Sequence, residues 1–227
     1  MPAPCPAYLF ADSQLLFWQE QSQPFLARVR QHCRAAPRAA YIGASNGDRL
    51  EFYSLFVAAM QGIGVEDCCM IRSSLPPEDA SLLAAADIIL LAGGEVDLGC
   101  RMMQETGARE LILRRYHEGS VLIGISAGAI QLGTHGVLRT GEGSLQLIDA
   151  LGLLPFLIGA HEESDDWAEL GSVVQLLEGS AVGLGIPAGG GLVFHPDGSV
   201  QAVRKCIYEF AVADGRLRRS LLYPPQH

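Results

Sequence analysis

No stretch of the 227-residue chain approaches the roughly 20 consecutive apolar residues that a membrane-spanning helix needs. The opening segment MPAPCPAYLF lacks both a basic start and a long apolar core, so no secretory signal is expected in it. The formal net charge is −9, which argues against a nucleic-acid surface. No internal repeat is visible. Six cysteines, at 5, 33, 68, 69, 100 and 206, lack the paired spacing of a metal site and read as small packed hydrophobes. The adjacent Cys68 and Cys69 fall in a predicted strand, where neighbouring side chains point to opposite faces. Neither a metal nor a cofactor is expected. What the chain does have is apolar material, 49% hydrophobic against 18% charged residues, enough for a substantial core. A soluble cytoplasmic protein is expected, with residues 1–227 forming one domain and no membrane or nucleic-acid partner.

Short apolar runs alternate with helix-length segments. Strands are predicted at Ala7–Phe10, Ala39–Ile42, Asp67–Ile71, Ile88–Ala92 and Val121–Ile125. Helices are predicted at Gln14–Cys33, Arg49–Gly62, Pro77–Ala86 and Leu98–Glu118, the last broken at Gly107. Runs such as IILLA and VLIGI are apolar at every position, as strands covered by helices on both faces require. The alternation predicts a doubly wound, mostly parallel α/β sheet flanked by helices. After Leu153 come one more predicted helix, Trp167–Leu177, and short strands near Val182–Ile186, Leu192–Phe194, Val200–Val203 and Ile207–Val212. The segment HPDGSV reads as a hairpin turn. A small antiparallel elaboration is therefore expected at the C-terminal side.

Ligands of open α/β sheets bind at the carboxyl ends of the strands. Four turns follow predicted strands: GASNGD (43–48), AGGEVD (92–97), GISAGA (124–129) and GAHEE (159–163). The third has the form G-x-S-x-G, in which two glycines permit a sharp strand-to-helix bend that lifts the Ser126 hydroxyl clear of the backbone. The helix behind it offers a positive dipole and the Ala127 N–H to an oxyanion, and Gly94 or Gly93 could supply a second donor. The alternative is an ordinary tight turn. Of the six histidines, His161 is the best candidate base, because it follows the apolar run LGLLPFLIG and should emerge beside the other turns. His32, His117, His135, His195 and His227 read as solvated or structural.

GISAGAIQLG, the upstream LLAGGEVD, IDALGLLPFLIGAH and the later GLGIPAGGGLVF together resemble the dipeptidase E and cyanophycinase family of serine peptidases. The resemblance runs from about Tyr41 to Phe210 and implies a class I glutamine amidotransferase-like fold. It also implies Ser126 as nucleophile, His161 as general base, and the N–H groups of Gly94 and Ala127 as oxyanion hole. Relatives often dimerise, so a homodimer is the oligomer expected if there is one.

Two departures stand out. Where the family places a glutamate beside the histidine, this chain has Gly185-Ile186-Pro187-Ala188. Losing a triad acid costs about four orders of magnitude in turnover in a chymotrypsin-type triad. Glu142, Glu162, Glu163 and Asp165 are the replacement candidates by proximity in sequence, with Glu142 about where dipeptidase E carries an aspartate. The second departure is the segment HEESDDWAEL, which has five carboxylates and no cation. If it lines the site, a neutral or cationic substrate fits better than an acidic one; otherwise it is a solvated first helical turn. Gly93, Glu95, Glu163 and Asp165 are the candidate substrate-binding residues. The reading is a serine peptidase-like hydrolase acting on a short peptide or isopeptide through an acyl-enzyme on Ser126. Its rival is a catalytically impaired member of the fold that binds a small molecule or serves an assembly. An amidotransferase-type amidase would normally carry cysteine at the elbow, and an α/β-hydrolase esterase would need more chain after it.

Overall fold

In the strands of the central sheet, successive residues serve opposite cores: Leu9, Ile89 and Leu122 pack on one face, Phe10, Ile88 and Ile123 on the other. Continuous apolar runs are the result, because both faces are covered. The computed structural model describes residues 4–139, 145–177 and 180–225. The chain begins with β1 (Ala7–Phe10), a 3-10 turn at Ser13–Leu16, the small hairpin β2 (Gln19–Glu20) and β3 (Gln23–Pro24), and α1 (Ala27–Gln31). Three strand–helix steps follow: β4 (Arg38–Ile42) with α2 (Leu50–Gln61), β5 (Asp67–Ile71) with α3 (Pro77–Ala84), and β6 (Ile88–Leu91) with α4 (Val96–Thr106) and α5 (Ala108–His117). Then come β7 (Val121–Ile125), α6 (Ala127–Leu132), the hairpin strands β8 (His135–Arg139) and β9 (Leu145–Asp149), β10 (Leu157–Ala160) and α7 (Ala168–Leu176). The chain closes with β11 (Gly183–Ile186), β12 (Gly191–Phe194), β13 (Val200–Val203), β14 (Ile207–Ala213) and β15 (Arg216–Leu222).

The seven-stranded sheet has the order β13-β12-β1-β7-β6-β4-β5, with β1, β7, β6, β4 and β5 parallel and β12 antiparallel to β1. Helices α4, α5 and α6 bury Met103, Ile112 and Leu132 on one face; α2 buries Phe56 and Met60 on the other. The expected elaboration is divided. The β12–β13 hairpin, turning through HPDGSV, extends the main sheet, while β11 pairs parallel with β10 and antiparallel with β14 in a second sheet, β10-β11-β14-β15. Cys68 and Cys69 do face opposite cores.

The long helix expected at Gln14–Cys33 does not form. Asp12 caps a single 3-10 turn by accepting from Gln14 N–H at 2.8 Å. Gln21 and Ser22 then both adopt positive φ, 50° and 65°, and reverse the chain as a two-residue hairpin turn. Pro24 follows and has no N–H to give a helix. Leu15, Leu16, Phe25, Leu26 and Val29 of this segment are buried nonetheless, in the same core as the α2 face, while Phe17 is exposed. Among the described residues no helix is long and apolar enough to cross a membrane.

Candidate active site

The elbow stands at the end of β7, near the middle of the sheet. Ser126 has φ 50° and ψ −113°, a strained conformation for a residue with a side chain, and its N–H is anchored by Phe10 C=O of β1 at 2.9 Å. The flanking glycines serve close packing and not the bend, since neither has a positive φ. A Cβ on Gly128 would lie 2.0 Å from Leu91 C=O, and one on Gly124 would lie 2.5 Å from Gly128 C=O. Both must be bare for α6 to close on β6 and β7, and that closure aims the helix N-terminus at Ser126. Among the described residues, no carbonyl accepts the Ala127 N–H or the Gly94 N–H.

The turn after β6 is fixed by the turn after β4. Glu95 N–H donates to Ser45 C=O at 2.7 Å, and Asn46 Nδ2 donates to Gly93 C=O at 3.1 Å and to the Tyr41 hydroxyl at 2.9 Å. Burial pushes the Tyr41 phenol above its ordinary range. Gly94 has φ 140°, and a Cβ there would stand 2.0 Å from Ser45 C=O, so only glycine fits. The buried Gln131 side chain of α6 completes the tie, donating to Ser45 Oγ at 2.9 Å and to Val96 C=O at 3.0 Å. Gly99 leaves it room, because a Cβ there would meet Gln131 Nε2 at 2.1 Å.

His161 follows β10 with φ 49°, and its N–H donates to Ile186 C=O at 2.9 Å. Its Nε2 lies 2.8 Å from Ser126 Oγ, and among the described residues this is the one hydrogen bond of the ring. Among the described residues, no carboxylate bonds the imidazole. Glu162 turns back along β10, its Oε1 3.4 Å from where a Gly159 Cβ would sit. Glu163 reaches the segment of the missing family glutamate but accepts from Ala188 N–H, at 2.9 Å. Asp165 is exposed, Asp166 pairs with Arg219 at 2.5 Å, and Glu142 lies outside the described residues. The loop is closed by Asp166 and Trp167, both with positive φ. Trp167 is 1% exposed and fills the space left by Gly159 and Gly185; a Cβ on Gly185 would lie 2.7 Å from its ring.

A cavity of about 630 Å³ opens beside the Ser126–His161 pair. Gly93, Gly94 and Glu95 line it; Glu163 and Asp165 do not. The lining adds residues that the sequence did not single out: Asp12 and Leu16 after β1, Arg49, Phe52, Leu55 and Phe56 of the α2 region, and Leu98 of α4. Asp12 also accepts from Gly189 N–H at 2.7 Å, which ties the end of β1 to the turn after Ala188. The other described histidines stand elsewhere, His135 Nε2 lying 3.6 Å from Asp149 and His195 Nε2 3.3 Å from Gln201 Oε1, and His227 lies outside the described residues.

Residues 13–197 match the model of peptidase family S51. A Bacillus subtilis (strain 168) protein described as the uncharacterized peptidase YgaJ is 28% identical over 141 residues, which is 60% of this chain and 60% of that protein. Among solved structures, a peptidase from an acI-B1 actinobacterium superposes with a TM-score of 0.71 at 18% identity, covering 99% of this chain and 96% of that one. A candidate peptidase E from Listeria monocytogenes EGD-e gives 0.64 at 19% identity, covering 89% and 99%. These two likenesses concern the fold. The family match spans most of the chain and includes both Ser126 and His161; the protein belongs to peptidase family S51, the dipeptidase E family.

Proposed function

We propose that this protein is a serine peptidase that cleaves short peptides through an acyl-enzyme on Ser126, with His161 as its base. The observation that carries the reading is the 2.8 Å approach of the exposed His161's Nε2 to the hydroxyl of a strained, half-buried Ser126 at a helix N-terminus. Ser126 Oγ attacks the scissile carbonyl carbon while its proton passes to Nε2. The developing oxyanion is met by the Gly94 and Ala127 N–H groups. Collapse breaks the C–N bond, and the imidazolium returns its proton to the departing amine. Water then repeats the sequence on the ester: its proton goes to Nε2, its oxygen to the carbonyl carbon, and Ser126 leaves as the alcohol.

One observation favours the rival reading of a binding protein, namely the absence of a carboxylate on the imidazole among the described residues. A fluorophosphonate probe discriminates. It should label the parent protein, fail on Ser126→Ala, and label His161→Ala at least about 100-fold more slowly, the scale of general-base assistance. Equal labelling of parent and Ser126→Ala, or none of either, would favour the binding protein.

A further inference from the structure

The proposed peptidase still needs a substrate, and the cavity beside Ser126 has a distinct chemical character. Its walls are Leu16, Phe52, Leu55, Phe56 and Leu98. Among the described residues only eight large hydrophobic side chains are exposed, and three of them, Phe52 (41%), Leu55 (42%) and Leu98 (42%), stand in this one cavity. Apolar exposure gathered in a concave site next to a nucleophile marks a surface that a ligand covers. The volume, about 630 Å³, lies inside the range of roughly 300–1,000 Å³ usual for small-ligand sites.

The charges in the lining are unfavourable to an anion. Arg49 is its one Lys or Arg, and that guanidinium is paired with Glu51 and lies over the Phe52 ring, Cζ 5.3 Å from the centroid. Asp12 and Glu95 add two carboxylates. An acidic side chain would lose its hydration against apolar walls and face like charge.

The topology gives the cavity a side. His161 reaches Ser126 from the β1 side: Glu163 of its loop holds Ala188 N–H, and Gly189 N–H is held by Asp12 after β1. Phe52, Leu55 and Phe56 belong to the helix after β4, and Leu98 to the helix after β6, on the opposite side of β7 in the sheet order. The leaving amine must sit by His161 to receive its proton, so the acyl portion extends toward the apolar wall.

We propose that this cavity is the subsite for a large apolar side chain on the acyl side of the scissile amide. The substrates are then short peptides with a leucine- or phenylalanine-like residue there, and not aspartyl peptides. This specificity rests on the hydrolase reading given above. The test uses the 4-methylcoumaryl amides of Leu, Phe and Asp. For the parent protein, kcat/KM for Leu and Phe should exceed that for Asp by about 100-fold. Leu98→Arg, a change at an exposed position, should narrow the ratio to less than about tenfold by supplying the missing counter-charge. A preference for Asp, or a ratio that Leu98→Arg leaves unchanged, overturns the proposal. So does a Phe52→Ser variant that dissociates a dimer without altering the ratio, because the wall would then be an interface between copies. Calorimetric binding of Leu-Phe and Asp-Phe to Ser126→Ala separates the two levels of inference. Tighter binding of Leu-Phe by about tenfold supports the subsite even where fluorophosphonate labelling fails and the hydrolase reading falls. Equal binding of the two dipeptides refutes the subsite even where labelling succeeds.

Discussion

Gly94→Ala is the most informative single change, because one added methyl tests how the turn after β6 works. The new Cβ would lie 2.0 Å from Ser45 C=O, 2.4 Å from its carbon and 2.9 Å from Asn46 N, while ordinary contact begins near 3.4 Å. All three atoms are backbone, so the turn itself must move, by about 1 Å or more, to restore contact distance. That shift breaks the 2.7 Å bond from Glu95 N–H to Ser45 C=O and carries the Gly94 N–H away from Ser126. Removing one oxyanion donor costs about 10²–10³ in kcat, and that is the loss expected here, with KM changed far less. The stability cost is about 1–3 kcal/mol for the strained φ plus about 1 kcal/mol for the lost hydrogen bond. Gly64→Ala is the control: its φ is +73°, and nothing lies within 4 Å of the added Cβ, so it carries strain without collision. Steady-state kinetics on the best coumaryl amide, with thermal unfolding of each variant, separates the two effects. A folded Gly94→Ala that keeps kcat within about threefold of the parent refutes the assignment of this turn as an oxyanion donor.

The remaining expectations concern the scaffold. Gln131→Leu leaves Ser45 Oγ and Val96 C=O without their buried donor, so it should cost about 1–3 kcal/mol in urea denaturation and lower kcat more than it raises KM. Asp79 accepts three bonds from Arg72, one backbone and two guanidinium, and these hold its carboxyl below the ordinary range. The unfolded chain therefore binds the proton more readily, and this stabilisation is present above about pH 4 and lost as pH falls through the depressed folded-state value. Asp79→Asn should flatten the acid limb of a stability–pH curve; an unchanged limb would count against the pairing. Burial pushes the thiols of Cys33, Cys68, Cys69 and Cys100 up to about 11. At pH 8 they are then thiolate to about 0.1%, so Ellman's reagent should react slowly with the half-buried Cys33, Cys68 and Cys69 and with the buried Cys100 only after unfolding in guanidinium. Their preference for the protonated form also withdraws stability as pH rises above the ordinary thiol value of about 8.5.

The parallel strands were legible because each is an apolar run closed by a glycine or polar turn, and Gly107, with φ 80°, parts α4 from α5 where the sequence predicted a break. The Gln14–Cys33 segment misled for a physical reason. Leu15, Leu16, Phe25, Leu26 and Val29 are buried, as a helix face would be, but Phe17 is exposed and the reversal at Gln21-Ser22 places two non-glycine residues at positive φ. The hairpin of β8 and β9 and the edge strand β15 were missed, their residues being mostly half-exposed or exposed, with no clear apolar run. At the site, the G-x-S-x-G spacing identified the elbow, although the glycines serve packing and the serine carries the strain. The cavity wall was not legible. Asp12, Phe52 and Leu98 are ordinary residues in sequence, brought to one place only by the strand order β1-β7-β6-β4.

Ala188 separates two tasks that one triad carboxylate usually performs. The main chain at His161 is fixed here: its N–H is held by Ile186, and its loop is closed by the αL residues Asp166 and Trp167. Trp167 is locked over Gly159 and Gly185, and Asp166 is tied to Arg219. At Ala188 the N–H goes to Glu163 and the C=O to Lys205, so a backbone clamp stands where the family carries a side chain. Stabilising the imidazolium is a different task, and an exposed carboxylate such as Glu163 contributes little to it through water. If Ser126 acts as proposed, the charged ring therefore has no bonded carboxylate among the described residues. Turnover should then fall short of a full triad in both steps that charge the imidazole, acylation and deacylation, and not in substrate binding.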